Sequence, residues 1–126
     1  MKTTILFLFA AGALWGQARF TDVTKGAGIS FTHNAGKVGK KWLPETMGSG
    51  VAFSDLDADG YADVVLLNSK DWTARGRRTL SALYRNNKNG TFTNVTAGSG
   101  LDVEMYALGI AVGDYDNDGR DDLYVT

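Results

Sequence analysis

Two stretches decide the fold: GVAFSDLDADGYADVVLL from Gly50 to Leu67, and GIAVGDYDNDGRDDLYVT from Gly109 to Thr126. Each opens on a glycine and a short apolar run, passes through an acidic loop, and closes on a second apolar run. In the first copy Val51-Ala52-Phe53 and Val64-Val65-Leu66-Leu67 are too short for helices and rich in β-favouring residues, which predicts strands on either side of the loop. Downstream, Leu83-Tyr84-Arg85 and Thr91-Phe92-Thr93-Asn94-Val95 flank Asn86-Asn87-Lys88-Asn89-Gly90, and the Asn-Gly pair marks a hairpin. Lys70 to Thr79 is polar, basic and aperiodic, and reads as a loop.

The pattern is an internal repeat. Phe20-Thr21-Asp22-Val23-Thr24 with Gly26-Ala27-Gly28-Ile29 is echoed by Phe92-Thr93-Asn94-Val95-Thr96 with Gly98-Ser99-Gly100-Leu101. The first copy carries extra residues around Thr32 to Trp42. Four antiparallel strands between about Gly50 and Thr96 are the size of one β-propeller blade. The fold class expected is therefore all-β, with blades of four antiparallel strands in an incomplete ring. The divisions expected are a signal segment at 1–18, an entry segment at 19–49, a first blade at 50–104 and the start of a second, truncated blade at 105–126. Repeat units bury their faces against one another, so the chain reads as an N-terminal piece of a longer polypeptide whose remaining blades are its partners.

Composition agrees with short strands and tight turns: 16 glycines against one proline in 126 residues. A net charge of −1 argues against nucleic-acid binding and against a polybasic membrane contact. The absence of cysteine excludes disulfides, thiol catalysis and thiolate-ligated zinc. Lys2, the apolar run Ile5 to Leu14 and the small residues Gly16 and Ala18 read as a secretory signal, with cleavage expected after Ala18. Export to the periplasm or outside the cell follows, where calcium is plentiful enough to fill sites with dissociation constants of about 10⁻⁴ to 10⁻³ M.

Nine of the fourteen acidic residues crowd into two windows, which leaves the rest of the chain net basic. Carboxylates so concentrated repel one another unless a cation lies between them. Loop one supplies oxygen donors at Asp55, Asp57, Asp59 and Asp63, with the Tyr61 backbone carbonyl between the last two. Loop two supplies Asp114, Asp116, Asp118 and Asp122, with the Arg120 carbonyl. Positions 1, 3, 5, 7 and 9 around a glycine at position 6 (Gly60 or Gly119) wrap a chain around a hard cation. An all-oxygen set selects Ca²⁺ or Mg²⁺ over zinc or copper, and flexible loop carboxylates suit the larger, looser shell of Ca²⁺. An EF-hand would need a bidentate Glu at position 12, where these loops have Leu66 and Val125.

The D-x-D-x-D-G-x-x-D loop between strands is similar to FG-GAP or VCBS repeats. More narrowly, LPETMGSGVAFSDLDADGYAD, LYRNNKNGTFTNVTAGSGL and ALGIAVGDYDNDGRDDLYVT resemble the repeats of the ASPIC/UnbV, cartilage acidic protein-like family. The resemblance covers nearly everything after the signal segment. It implies a β-propeller, commonly seven-bladed, with calcium on the blade loops. The later blades and the C-terminal region of that family have no counterpart in this sequence.

Other residues invite functional readings. His33 is the single histidine and has no nucleophile motif beside it, so a structural or surface role is expected. Glu45 is read as strand-entry packing, and Lys70, Arg75, Arg77 and Arg78 with Trp72 as an exposed basic loop. Tyr61, Tyr84, Tyr106 and Tyr124 are expected to pack between blades. The function expected is that of a secreted, calcium-binding, non-catalytic propeller module engaging an extracellular protein. A glycan partner is the alternative, with Trp42 and Trp72 available to stack on sugars. An enzyme is the third reading, and no acid–base or nucleophile constellation supports it.

Overall fold

Val64-Val65-Leu66-Leu67 has apolar residues at every position, as a strand covered on both faces requires. In the computed structural model, which describes residues 17–72 and 78–126, both faces of that strand are covered. The expected signal segment therefore lies outside the described residues except for Gln17 and Ala18, as do Arg75 and Arg77. The strands are β1 (Val51–Ser54), β2 (Asp63–Leu66), β3 (Ala82–Asn86), β4 (Phe92–Asn94), β5 (Ile110–Gly113) and β6 (Asp122–Val125), preceded by a 3-10 turn at Leu43–Thr46.

β1 to β4 form an antiparallel sheet in sequence order, and β5 and β6 form a second, two-stranded antiparallel sheet. The register of the two acidic hairpins is the same. Ser54 pairs with Asp63 next to loop one, and Gly113 pairs with Asp122 next to loop two. At the open ends the Leu67 N–H donates to the Gly50 carbonyl at 3.0 Å, and the Thr126 N–H to the Gly109 carbonyl at 3.0 Å. The repeat seen in the sequence is thus a repeat of backbone geometry. The architecture is all-β and of propeller-blade type.

Alternation along β2 separates two cores. Val65 and Leu67, with Leu101 and Ala107, face the second sheet, where Ile110, Leu123 and Val125 pack on them. Val64, Ala82 and Tyr84 face the opposite way and are covered by Ile29, Phe31 and Phe92. The segment before β1 therefore closes one face of the sheet, and the second acidic hairpin closes the other. Its backbone joins in: the Phe92 N–H donates to the Ala27 carbonyl at 2.8 Å, and the Ser30 N–H to the Tyr84 hydroxyl at 3.2 Å.

The tyrosines divide, contrary to the expectation that all four pack between blades. Tyr84 is 1% exposed and Tyr106 is half-buried, whereas Tyr61 and Tyr124 are exposed. β6 is covered on one face alone, so alternation sends Leu123 and Val125 inward and Tyr124 outward.

A buried amide holds the far end of the first sheet. Asn68 donates from Nδ2 to the Thr32 and Leu80 carbonyls at 3.2 Å each, and its Oδ1 accepts from the Asn34 N–H at 2.6 Å. The Asn68 N–H donates to the Ser81 hydroxyl at 3.1 Å. One side chain thereby links the entry segment to the β2–β3 connection with every polar atom paired, as burial demands.

Candidate metal centre

In loop one the Asp55 carboxylate accepts from the Asp59 N–H at 2.9 Å and the Gly60 N–H at 2.7 Å. In loop two the Asp114 carboxylate accepts from the Asp118 N–H at 3.0 Å and the Gly119 N–H at 2.9 Å. The fifth residue repeats the device, with Asp59 accepting from the Tyr61 N–H and Asp118 from the Arg120 N–H. These bonds fold each loop into a ring with its carboxylates turned inward. The ring needs two left-handed residues. Gly60 and Gly119 have φ of +88° and +87°, and the fourth residues, Ala58 and Asn117, have φ of +57° and +59°.

The carboxylates converge as a result. Oxygens of Asp55, Asp57 and Asp59 lie within 4.8 Å of one another, and so do oxygens of Asp114, Asp116 and Asp122. The donor set, three acidic oxygens on a ring of backbone, fits a hard divalent cation. Strands flank both loops, and Leu66 and Val125 at position 12 lie in β2 and β6, so neither is an EF-hand.

The two loops differ at the ninth residue. Asp122 belongs to its cluster and also accepts from the Tyr115 N–H at 2.9 Å. Asp63 lies outside the close group of loop one. It is 3% exposed, and its Oδ1 accepts the Asn86 N–H at 2.9 Å, tying β2 to the end of β3. Asp118, the fifth residue of loop two, is likewise outside the close group. Tyr61 and Arg120 occupy the seventh position of each ring, and their N–H groups donate to Asp59 and Asp118.

Lys88 went unnoticed in the sequence because its neighbours there mark only a turn. Its Nζ lies 3.0 Å from Asp59 Oδ2 and 5.0 Å from the Tyr61 ring centroid. The hydrogen bond to Asp59 holds its ammonium above the ordinary value of 10.5. In an antiparallel meander the β1–β2 and β3–β4 turns share one end of the sheet, which brings residue 88 to residue 59. Asp121, counted among the acidic residues but given no role, accepts a hydrogen bond from the Ser54 hydroxyl. It links loop two to the strand that feeds loop one.

The FG-GAP-like repeat model matches residues 55–125, which takes in both acidic loops and more than half of the chain. The chain belongs to the FG-GAP-like repeat family. FG-GAP-like repeats are typically non-enzymatic, generally mediate protein interactions, are often extracellular and often bind Ca²⁺. No curated protein and no solved structure gives a significant match. Among the described residues no helix is long and apolar enough to cross a membrane.

Proposed function

We propose that this FG-GAP-like chain is an exported, calcium-binding propeller module that acts by presenting a surface to an extracellular partner and not by catalysis. The observation that carries the reading is the doubling of the ring. Two loops far apart in sequence share the left-handed fourth and sixth residues, the same amide bonds to the first carboxylate and the same flanking strands. A solvated acidic turn has no need of such agreement.

Asp55, Asp57 and Asp59 would hold one ion and Asp114, Asp116 and Asp122 the other, with the Tyr61 and Arg120 carbonyls, Asp63 and Asp118 available to complete the sets. The ion supplies positive charge that relieves the crowding of carboxylates. The residues do the rest: the amides of positions 5 and 6 aim the first carboxylate, and the paired strands fix the ends of each loop. The three stretches that resemble ASPIC/UnbV repeats support a place in that group, and the apolar N-terminal run supports export.

Calorimetric titration of the folded protein with Ca²⁺ should show two sites filling by millimolar concentration. Asp57→Ala and Asp116→Ala should each remove one of them and expose the corresponding loop to protease. No heat of binding from a protein with an intact β-sheet circular-dichroism spectrum would sink the proposal.

A further inference from the structure

Loop one occupies one end of the first sheet, and the other end has a different chemistry. Trp42, just before the 3-10 turn, and Trp72, in the β2–β3 connection, are far apart in sequence. Their rings nevertheless meet at 5.4 Å between centroids and 79° between planes. Trp72 in turn lies on Tyr106 at 4.6 Å and 34°. Both indoles are 44% exposed, so two large aromatic faces form a right-angled corner open to solvent.

The corner is fixed from below. The Tyr106 hydroxyl donates to the Ala35 carbonyl at 2.6 Å, residue 106 bridges Ser69, and the Lys70 N–H donates to the Met105 carbonyl at 3.0 Å. Gly36 fits beneath it because a Cβ there would lie 2.6 Å from the Lys70 carbonyl oxygen and 2.8 Å from the Tyr106 ring. Lys37, Lys40, Lys41 and Lys70 are exposed in these same segments, and Lys40 Nζ stands 5.9 Å from the Trp42 ring centroid. Three carboxylates, Glu45, Asp71 and Glu104, lie in the same segments against these four lysines. Glu45 is buried at 4% exposure, Asp71 accepts from the Asn34 amide at 3.4 Å, and Glu104 alone is exposed.

We propose that this corner binds an acidic polysaccharide, with a pyranose ring stacked in the angle between Trp42 and Trp72 and its sulfate or carboxylate paired with Lys40 and the neighbouring lysines. Pyranose C–H faces are apolar and match an indole face, and the lysines match the charge that a neutral sugar lacks. The site is separate from the carboxylate loops, so it stands whether or not those loops hold calcium.

The test is tryptophan fluorescence titration of the folded protein at about 0.15 M salt, where weak long-range attraction is screened. The probes are a sulfated glucose oligosaccharide, an oligogalacturonate, a neutral glucose oligosaccharide, poly-glutamate and a single-stranded oligonucleotide. Binding of either acidic sugar, at least tenfold tighter than the neutral one, is expected. Trp42→Ala should weaken it about tenfold or more, a loss of the size of a stacking contact. Lys40→Gln should weaken the acidic sugars and leave the neutral one unchanged. Both side chains are exposed, and unchanged circular dichroism confirms that the variants are folded. The proposal is overturned if no sugar binds, if poly-glutamate or the oligonucleotide binds as tightly as the acidic sugars, or if both variants bind like the parent.

Discussion

Ala58 and Asn117 occupy the same position in the two rings with nearly the same left-handed φ, yet only asparagine tolerates that region readily. For alanine the conformation costs roughly 1–2 kcal/mol, and relief by glycine is reduced by glycine's greater unfolded-state entropy. Ala58→Gly is therefore expected to raise stability by about 1 kcal/mol or less, read as a higher urea midpoint with an unchanged slope. Lys88 makes the second residue-scale case. Its ammonium contacts a carboxylate of the first cluster and, among the described residues, no ion pair touches the second. Lys88→Met should tighten one of two calcium-binding steps and leave the other alone, with the difference shrinking at high salt. Because the Lys88 value is raised in the folded state, the ion pair stabilises fully below the ordinary lysine range. It is lost only as pH climbs past 10.5 through the folded value, so the effect of Lys88→Met should be the same at pH 7 and pH 8. The ring residues were legible in the sequence because the amide bonds to the first and fifth carboxylates of each loop span five residues or fewer. Lys88 was not, because its bond to Asp59 depends on which turns share an end of the sheet.

At the scale of elements, the positions of the strands follow closely from the apolar runs. The structure extends β1 to Ser54 and begins β2 at Asp63, absorbing the last residue of the acidic loop into the ladder. That shift changes the standing of Asp63. Spacing alone makes it the expected ninth donor of a ring; its burial and its bond to the Asn86 amide make it, in addition, a clasp between β2 and β3. Asp63→Ala leaves that amide without its partner and should cost about 1–3 kcal/mol in chemical unfolding even without added calcium. Asp63→Asn keeps an acceptor and should cost less. An equal and small loss for both would show that the clasp contributes nothing. The hairpin at Asn86–Gly90 was also legible as a turn, but its shape was not. It is a five-residue connection closed by the Asn87 N–H to Thr91 carbonyl bond at 2.9 Å, with Lys88 and Gly90 left-handed.

For the whole molecule, the first sheet is held between two covers, the entry segment on one face and the second acidic hairpin on the other. Leu67 is 1% exposed at the centre of the second contact. Leu67→Ala should lower stability by about 2–5 kcal/mol, and amide exchange should speed up in β5 and β6 together with β2. Faster exchange confined to β1–β4 would mean that the two sheets do not share a core. The aromatic corner and the Asn68 hub belong to this scale too, since each joins segments more than ten residues apart. The sequence by itself determined the strands, the repeat and the two rings, because pleat alternation, left-handed turns and short amide bonds are set within a window of a few residues. Tertiary structure alone decided that Asp63 turns to β3, that Lys88 reaches Asp59, and that Trp42 meets Trp72. Those outcomes depend on which ends of an antiparallel sheet its connections share, and that is fixed only when the strands pair and both faces are buried.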